Sequence, residues 1–329
     1  MNRFQKFTFK NGKVAQNRLV IPPMASGTAD QAGFATQATF DHYQRLSTAG
    51  AGIVFVEYSY VHSSGRSEAN QLAADSADKE PGLAAIASII RSKGSLAGLQ
   101  IVHAGGKSNR MFTNSALMGP SAIRVPVKGM EMEVPQAMSL SDINDLQNWF
   151  LGAADLAFRA GFDFVELHAA HGYGLNQWLS PLTNQRNDSF GGSMQRRSRL
   201  LFSIVEKIKR LLPELLISVR IPGQDYLPSG LNLDDTIWLA QELELRGLDL
   251  LDVSSGIGGW RRPETVNGEG YLVADAAAIK SKIGTPVIGV GGIETEAYIE
   301  QAIRESRIDF AAVGRAILKD PGAWFNKSA

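Results

Sequence analysis

The 329-residue sequence has no cysteine. Disulfides, thiolate nucleophiles, thiolate zinc sites and cysteine-ligated iron–sulfur clusters are therefore excluded. Net charge is lacking too, because 33 basic side chains balance 33 acidic ones. No basic cluster exceeds the pair Arg261-Arg262 or the set Arg196, Arg197 and Arg199. Such a distribution gives no attraction to nucleic acid or anionic lipid. Apolar runs of about 18 residues are absent, so no membrane span is expected. The start, Met1-Asn-Arg-Phe-Gln-Lys-Phe, lacks the apolar core of a signal peptide. A soluble, cytoplasmic protein is the expectation. Histidine is scarce, and two of the five, His168 and His171, fall three residues apart.

What the chain does have is alternation. Short β-branched runs occur at Arg18–Pro22, Gly52–Glu57, Ala97–Val102, Asp163–His168, Leu216–Ile221, Asp249–Val253, Pro286–Val290 and Asp309–Val313. Helical periodicity fills the gaps, for example over Asp142–Arg159, Arg197–Leu212, Leu233–Arg246 and Glu294–Arg304. Eight strand–helix units over about 250 to 330 residues predict an α/β fold, a (β/α)8 TIM barrel. A doubly wound open sheet is the competitor. The barrel is favoured because the count is eight and no Gly-x-Gly-x-x-Gly follows the first strand. Lys6 to Val14 reads as a β-hairpin turning at Asn11-Gly12, placed to cap the barrel bottom. Phe112 to Met138 has no clear period and is expected to form a lid or wall over the catalytic face.

In a barrel, reactive groups come from the C-terminal ends of strands. Those ends carry Pro22 to Ala25, Glu57-Tyr58, Gln100 with His103, His168 with His171 and Tyr173, Arg220, Ser254 to Gly256, Gly291-Gly292, and Gly314-Arg315. The last two sets, after strands seven and eight, suit a phosphate. The plainer alternative is that the glycines only make turns and Arg315 is a surface side chain. His168 and His171 have three readings: packing residues, metal ligands with Glu166, or a pair of N–H donors that polarise a carbonyl. Tyr173 could give or take a proton. An arginine in a barrel mouth, as at Arg220, needs an anionic partner. Asn184, Arg186, Asp188 and Arg197 read as a structural polar network bracing the loop after strand four.

Taken together, the chain resembles the Old Yellow Enzyme family of FMN-dependent NAD(P)H oxidoreductases, the ene-reductases. The resemblance runs from Asn17-Arg-Leu-Val-Ile-Pro-Pro-Met24 to Val313-Gly-Arg-Ala-Ile-Leu-Lys-Asp-Pro321. It is carried above all by His168-Ala-Ala-His-Gly-Tyr173, Leu179-Ser-Pro181 and Gly191-Gly-Ser193, with Leu99 to Gly105 and Val219-Arg-Ile221 at the expected strands. It implies a single FMN-binding domain over residues 1–329, with NADPH or NADH as hydride donor in a ping-pong cycle at one shared site. Gln100 would meet the flavin pyrimidine edge. Arg220 would sit by N1 and the C2 carbonyl, stabilising the anionic reduced ring. Pro23, Met24, Ala25 and Tyr58 would line the ring, and Gly291, Gly292, Gly314 and Arg315 would hold the phosphate. His168 and His171 would bind the carbonyl oxygen of an enone-like small molecule. Flavin N5 would then pass hydride to the β-carbon and Tyr173 would protonate the α-carbon. No metal is implied, and a homo-oligomer is left open.

The chain departs from the family pattern at four places. Ala25 stands where Thr or Cys is common, and Tyr58 where a small residue is usual. Gly106 replaces an arginine, for which Lys107 is the available substitute, and Gln195-Arg196 replaces Glu-Asn. The alternatives are an FMN enzyme of the same fold acting as a dehydrogenase or double-bond isomerase, a metal-dependent barrel lyase or hydrolase, and a flavin-binding protein without turnover.

Overall fold

The computed structural model describes residues 2–325. All eight strands read from the sequence are present. β1 (Phe7–Thr8) and β2 (Val14–Ala15) form the antiparallel hairpin. The barrel consists of β3 (Leu19–Ile21), β4 (Ile53–Tyr60), β5 (Leu96–Val102), β8 (Phe164–His168), β9 (Leu216–Pro222), β10 (Leu250–Ser254), β11 (Val287–Gly289) and β12 (Phe310–Ala312). These strands are parallel and close in that order, β12 pairing with β3. Two short strands, β6 (Met118–Gly119) and β7 (Gln136–Ala137), pair outside the barrel. Among the described residues no helix is long and apolar enough to cross a membrane.

The strands read as apolar runs because both their faces are buried. Val165, Leu167, Ile217, Val219, Leu251 and Val253 face the surrounding helices, in one large core. Phe55, Phe164, Leu216, Leu250, Ile288 and Phe310 fill the barrel floor together with Phe9 of the hairpin. Phe9 meets Phe164 edge-on at 5.0 Å and stacks on Phe310 at 6.1 Å. Such aromatic pairs add roughly 0.5–1.5 kcal/mol each beyond buried area. The floor also explains one glycine: a Cβ on Gly98 would lie 2.3 Å from the Phe55 ring.

Three strands are preceded by an aspartate with a common task. Asp163 accepts a hydrogen bond from Ala97 N, Asp249 from Ile217 N and Asp309 from Val287 N, each at 2.9 Å. Each is paired with a lysine, Lys13, Lys209 and Lys280 respectively. The acid thereby satisfies the first free N–H of the neighbouring strand at the closed end of the barrel.

Register positions the open end. Gln100, Glu166 and Ser218 lie side by side on β5, β8 and β9, and one step up His168, Arg220 and Asp252 lie side by side on β8, β9 and β10.

Candidate active site

At the C-terminal end of the barrel lies a cavity of about 430 Å³. All thirteen residues singled out for cofactor or catalysis line it: Pro23, Met24, Ala25, Tyr58, Gln100, His168, His171, Tyr173, Arg220, Gly291, Gly292, Gly314 and Arg315. Strand parity accounts for much of this. Inward positions on a strand recur every second residue, so β8 offers Phe164 to the floor, Glu166 to a middle layer and His168 to the cavity.

His171 and Gly172 both have positive φ, 61° and 76°. The conformation is uncommon for a residue with a side chain. It is held by His171 N donating to Ser255 O, by Gly172 N donating to Asn176 Oδ1, and by Lys107 Nζ donating to His171 O at 2.5 Å. The turn brings the His171 ring to 5.0 Å from that of His168, edge-on, with Tyr173 a further 5.0 Å from His168. His171 Nε2 is 2.7 Å from Ser254 Oγ, whereas His168 Nδ1 is buried with no hydrogen-bond partner. Burial holds both imidazoles well below their usual range, reinforced by the Arg220 and Lys107 charges. They are neutral at physiological pH, each with one N–H to donate. Burial pushes the Tyr173 phenol up to about 12, so it carries its proton there.

Under the cavity sit two carboxylates and one guanidinium. Glu166 accepts from Gln100 Nε2 at 2.9 Å and from Ser218 Oγ at 2.7 Å. Arg220 Nε approaches Asp252 Oδ2 to 3.1 Å without hydrogen-bond alignment. Burial raises Glu166 to about 8, and Asp252 is raised by burial as well. Two acids sharing one guanidinium in a dry layer cannot both ionise freely. Because Glu166 fixes the amide of Gln100, the Gln100 Oε1 acceptor is left buried and unpartnered. A free acceptor beside guanidinium donors matches the N–H and carbonyl edge of a flavin pyrimidine, so these residues fit that ring.

The opposite corner is backbone. Gly291 and Gly292 have φ of 123° and 64°, and a Cβ would lie 2.8 Å from Leu272 N at the first and 3.1 Å from the Tyr271 ring at the second. A Cβ on Gly292 would also come within 3.6 Å of the Arg315 guanidinium. Backbone amides of a positive-φ glycine pair beside an arginine suit a phosphate, so this corner fits the other end of FMN.

Several sequence expectations change. No residue of the Phe112–Met138 segment lines the cavity. Instead Val125 and Met132 pack on Ile257 and Leu182, so the segment buttresses the loops that carry the site. The cavity wall comes from Trp260, Arg262, Tyr271 and Leu272 after β10 and from Glu68 after β4, none of which the strand-end reading found. They lie several residues beyond their strands, in segments without period. Gly106 is sterically set, since a Cβ would lie 3.0 Å from Pro135. Lys107 supplies a cation from behind, its Nζ 4.4 Å above the Tyr173 ring. Gln195 and Arg196 are exposed and do not line the cavity. Asn184 and Arg197 donate to backbone carbonyls of Trp178 and Leu179, and Arg186 pairs with Asp188, as a bracing network would. The metal alternative loses its third ligand, because both Glu166 oxygens are engaged by Gln100 and Ser218. Among the described residues no three ligand-type side chains gather as a metal site.

The sequence model of the NADH:flavin oxidoreductase / NADH oxidase family matches residues 3–327. The chain belongs to that family. It is 35% identical to the NADPH dehydrogenase of Bacillus pumilus, covering 99% of this chain and 93% of the relative. It is 33% identical to the NADH:acrylate oxidoreductase of Vibrio harveyi, covering 98% of this chain but 32% of that longer protein. The old yellow enzyme homologue from Zymomonas mobilis superposes with a TM-score of 0.86 at 21% identity, over 100% of this chain and 94% of its own, which establishes the shared barrel. The protein is thus an NAD(P)H-dependent flavin oxidoreductase, with FMN as its cofactor.

Proposed function

We propose that this enzyme reduces the activated C=C bond of α,β-unsaturated carbonyl compounds, working as one FMN-binding domain. The observation that carries the reading is two neutral, buried histidines and a protonated tyrosine gathered at one wall of the cavity. FMN, when bound, supplies a hydride taken from NAD(P)H. Gln100 and Arg220 would hold its ring. Pro23, Met24, Ala25 and Tyr58 would line the ring, and Gly291, Gly292, Gly314 and Arg315 would hold its phosphate.

The remaining chemistry belongs to the chain. His168 and His171 converge on the carbonyl oxygen, each giving one N–H bond. Because both are neutral, they stabilise developing enolate charge without delivering a full proton. Burial, helped by the Arg220 and Lys107 charges, keeps them so. Tyr173 gives its proton to the α-carbon, and a phenol held near 12 loses it only to a strong base such as a carbanion-like carbon. The walls bury the histidines, which strengthens each electrostatic contact.

An anaerobic absorption spectrum tests this. The holoenzyme is expected to be yellow, to bleach with NADPH and to recover its colour with 2-cyclohexenone. A protein that bleaches but is not reoxidised by any enone would defeat the substrate reading and leave the family assignment standing.

A further inference from the structure

We propose that Tyr58 and Glu68 form a proton relay that reloads Tyr173 from solvent, a role resting on the reading of Tyr173 as proton donor. Tyr173 is 7% exposed, so bulk water reaches its hydroxyl poorly. After each turnover a buried phenolate would remain, and a donor must stand beside it. Tyr58 does so. The two rings lie 5.4 Å apart, tilted by 34°, and pack together in one small cluster with Val102 and Ala104. On its other side the Tyr58 hydroxyl donates a short hydrogen bond to Glu68 Oε1. Glu68 is only partly buried and lines the cavity at its rim. The three groups thus run in series from the reacting centre to water.

The loop is built to hold that order. Arg66 Nε donates to the Glu68 carbonyl at 2.8 Å. Gln71 accepts from Ser67 N and returns its Nε2 to the Tyr58 carbonyl at 3.0 Å. The carboxylate is therefore tied to the backbone of the phenol it serves. In the cycle, Tyr173 gives its O–H proton to carbon. The phenolate takes a proton from Tyr58, rim water protonates the Glu68 carboxylate, and Glu68 passes that proton on to Tyr58. One solvent proton enters per double bond reduced. The hydride from NAD(P)H accounts for the other hydrogen and both electrons. The other titratable groups facing the chain are Lys107 above the Tyr173 ring and His168 beside Tyr58 and Tyr173.

The test is stopped-flow reoxidation of the NADPH-reduced holoenzyme by 2-cyclohexenone, over a pH series, in H2O and D2O. The variants are Glu68→Gln and Tyr58→Phe. Each is expected to slow reoxidation about tenfold, below the roughly 10²-fold of losing a general acid outright, and to enlarge the solvent isotope effect. Small carboxylic acids should restore the rate of the Glu68→Gln enzyme. Wild-type reoxidation rates in both variants would overturn the relay. So would slowing without acid rescue and with an unchanged isotope effect, because that describes a merely structural contact. A wild-type enzyme that NADPH bleaches and the enone does not reoxidise would instead overturn the role of Tyr173, and the relay with it.

Discussion

At the floor of the barrel Phe164, Leu216 and Leu250 point inward from β8, β9 and β10. Two residues further along the same strands, the inward positions are Glu166, Ser218 and Asp252, and a further two bring His168, Arg220 and Ser254. Backbone, register and burial are alike along this path, and Glu166, Ser218 and Asp252 are 0% exposed. Only the side chains change, from apolar through polar to ionisable. The floor gains by excluding water and asks nothing of a ligand. The mouth keeps unpartnered polar atoms in a dry place, a cost that a bound ring and substrate would offset. Stability and function are thus separated by about 13 Å of strand, four residues at ~3.3 Å each.

The sharpest break of that separation is at the mouth. Replacing both histidines, His168→Ala with His171→Ala, should lower enone turnover by about 10⁴-fold, since one oxyanion donor is worth roughly 10²–10³. Bound flavin should remain, because neither side chain belongs to the ring or phosphate corner. Turnover and flavin content, measured on one preparation, check both halves. If enone turnover persists at the wild-type level, the two rings are not the carbonyl clamp.

The converse variant is Phe164→Ala. It opens the floor next to Phe9 and Phe55 and should cost about 3–5 kcal/mol of stability. The folded fraction should keep its flavin spectrum and its KM for the enone. Urea unfolding followed by flavin and tryptophan signals would show this. A large KM change would mean that floor and mouth are mechanically coupled.

How far each end could be read from the sequence follows from the same contrast. The floor was legible because apolar runs and the Asn11-Gly12 turn are local signals, and all eight strands and the hairpin came from them. The thirteen residues placed around the cavity were legible because strand ends are local too. Tyr58 was visible as a residue type, but its partner Glu68 was not. Nine residues, the last two of β4 and the loop beyond it, separate them, and the Gln71 and Arg66 bonds fold that loop back. Trp260, Arg262 and Tyr271 escaped for the same reason. The segment around Val125 reads wrongly as a lid or pocket wall because length without period says that a loop exists, not what it packs on.

A smaller effect is expected at the closed end. Asp163→Ala leaves the Ala97 N–H without its acceptor and Lys13 without its ion pair. An unsatisfied buried donor costs about 1–3 kcal/mol. The pair with Lys13 adds little, since that lysine is partly exposed. Asp163→Asn, which keeps an acceptor oxygen, should recover most of the loss, and thermal unfolding of the two variants would separate hydrogen bond from charge. Equal losses would assign the effect to the ion pair.

A further expected effect probes the layer between floor and mouth, and it is a slope with pH. Burial raises the Glu166 carboxyl to about 8, Asp252 raises it further, and Arg220, Ser218 and Gln100 oppose. An unfolded glutamate titrates near ~4.3. Between those values the unfolded chain has released a proton that the folded chain still holds. Stability from this group is therefore complete below the unfolded value and declines as pH rises towards the folded one. For a single proton the decline is at most about 1.4 kcal/mol per pH unit. In Glu166→Gln the uncharged amide titrates in neither state, so this part of the slope should vanish, and Asp252 should then ionise beside Arg220 with no competing acid. Unfolding free energies of the holoenzyme at a series of pH values, with flavin in constant excess, measure the difference between the two slopes. Because Glu166 and Asp252 interact, the proton belongs to the pair. An unchanged slope in the variant would put that proton on Asp252, leaving Glu166 as the ionised partner that fixes Gln100.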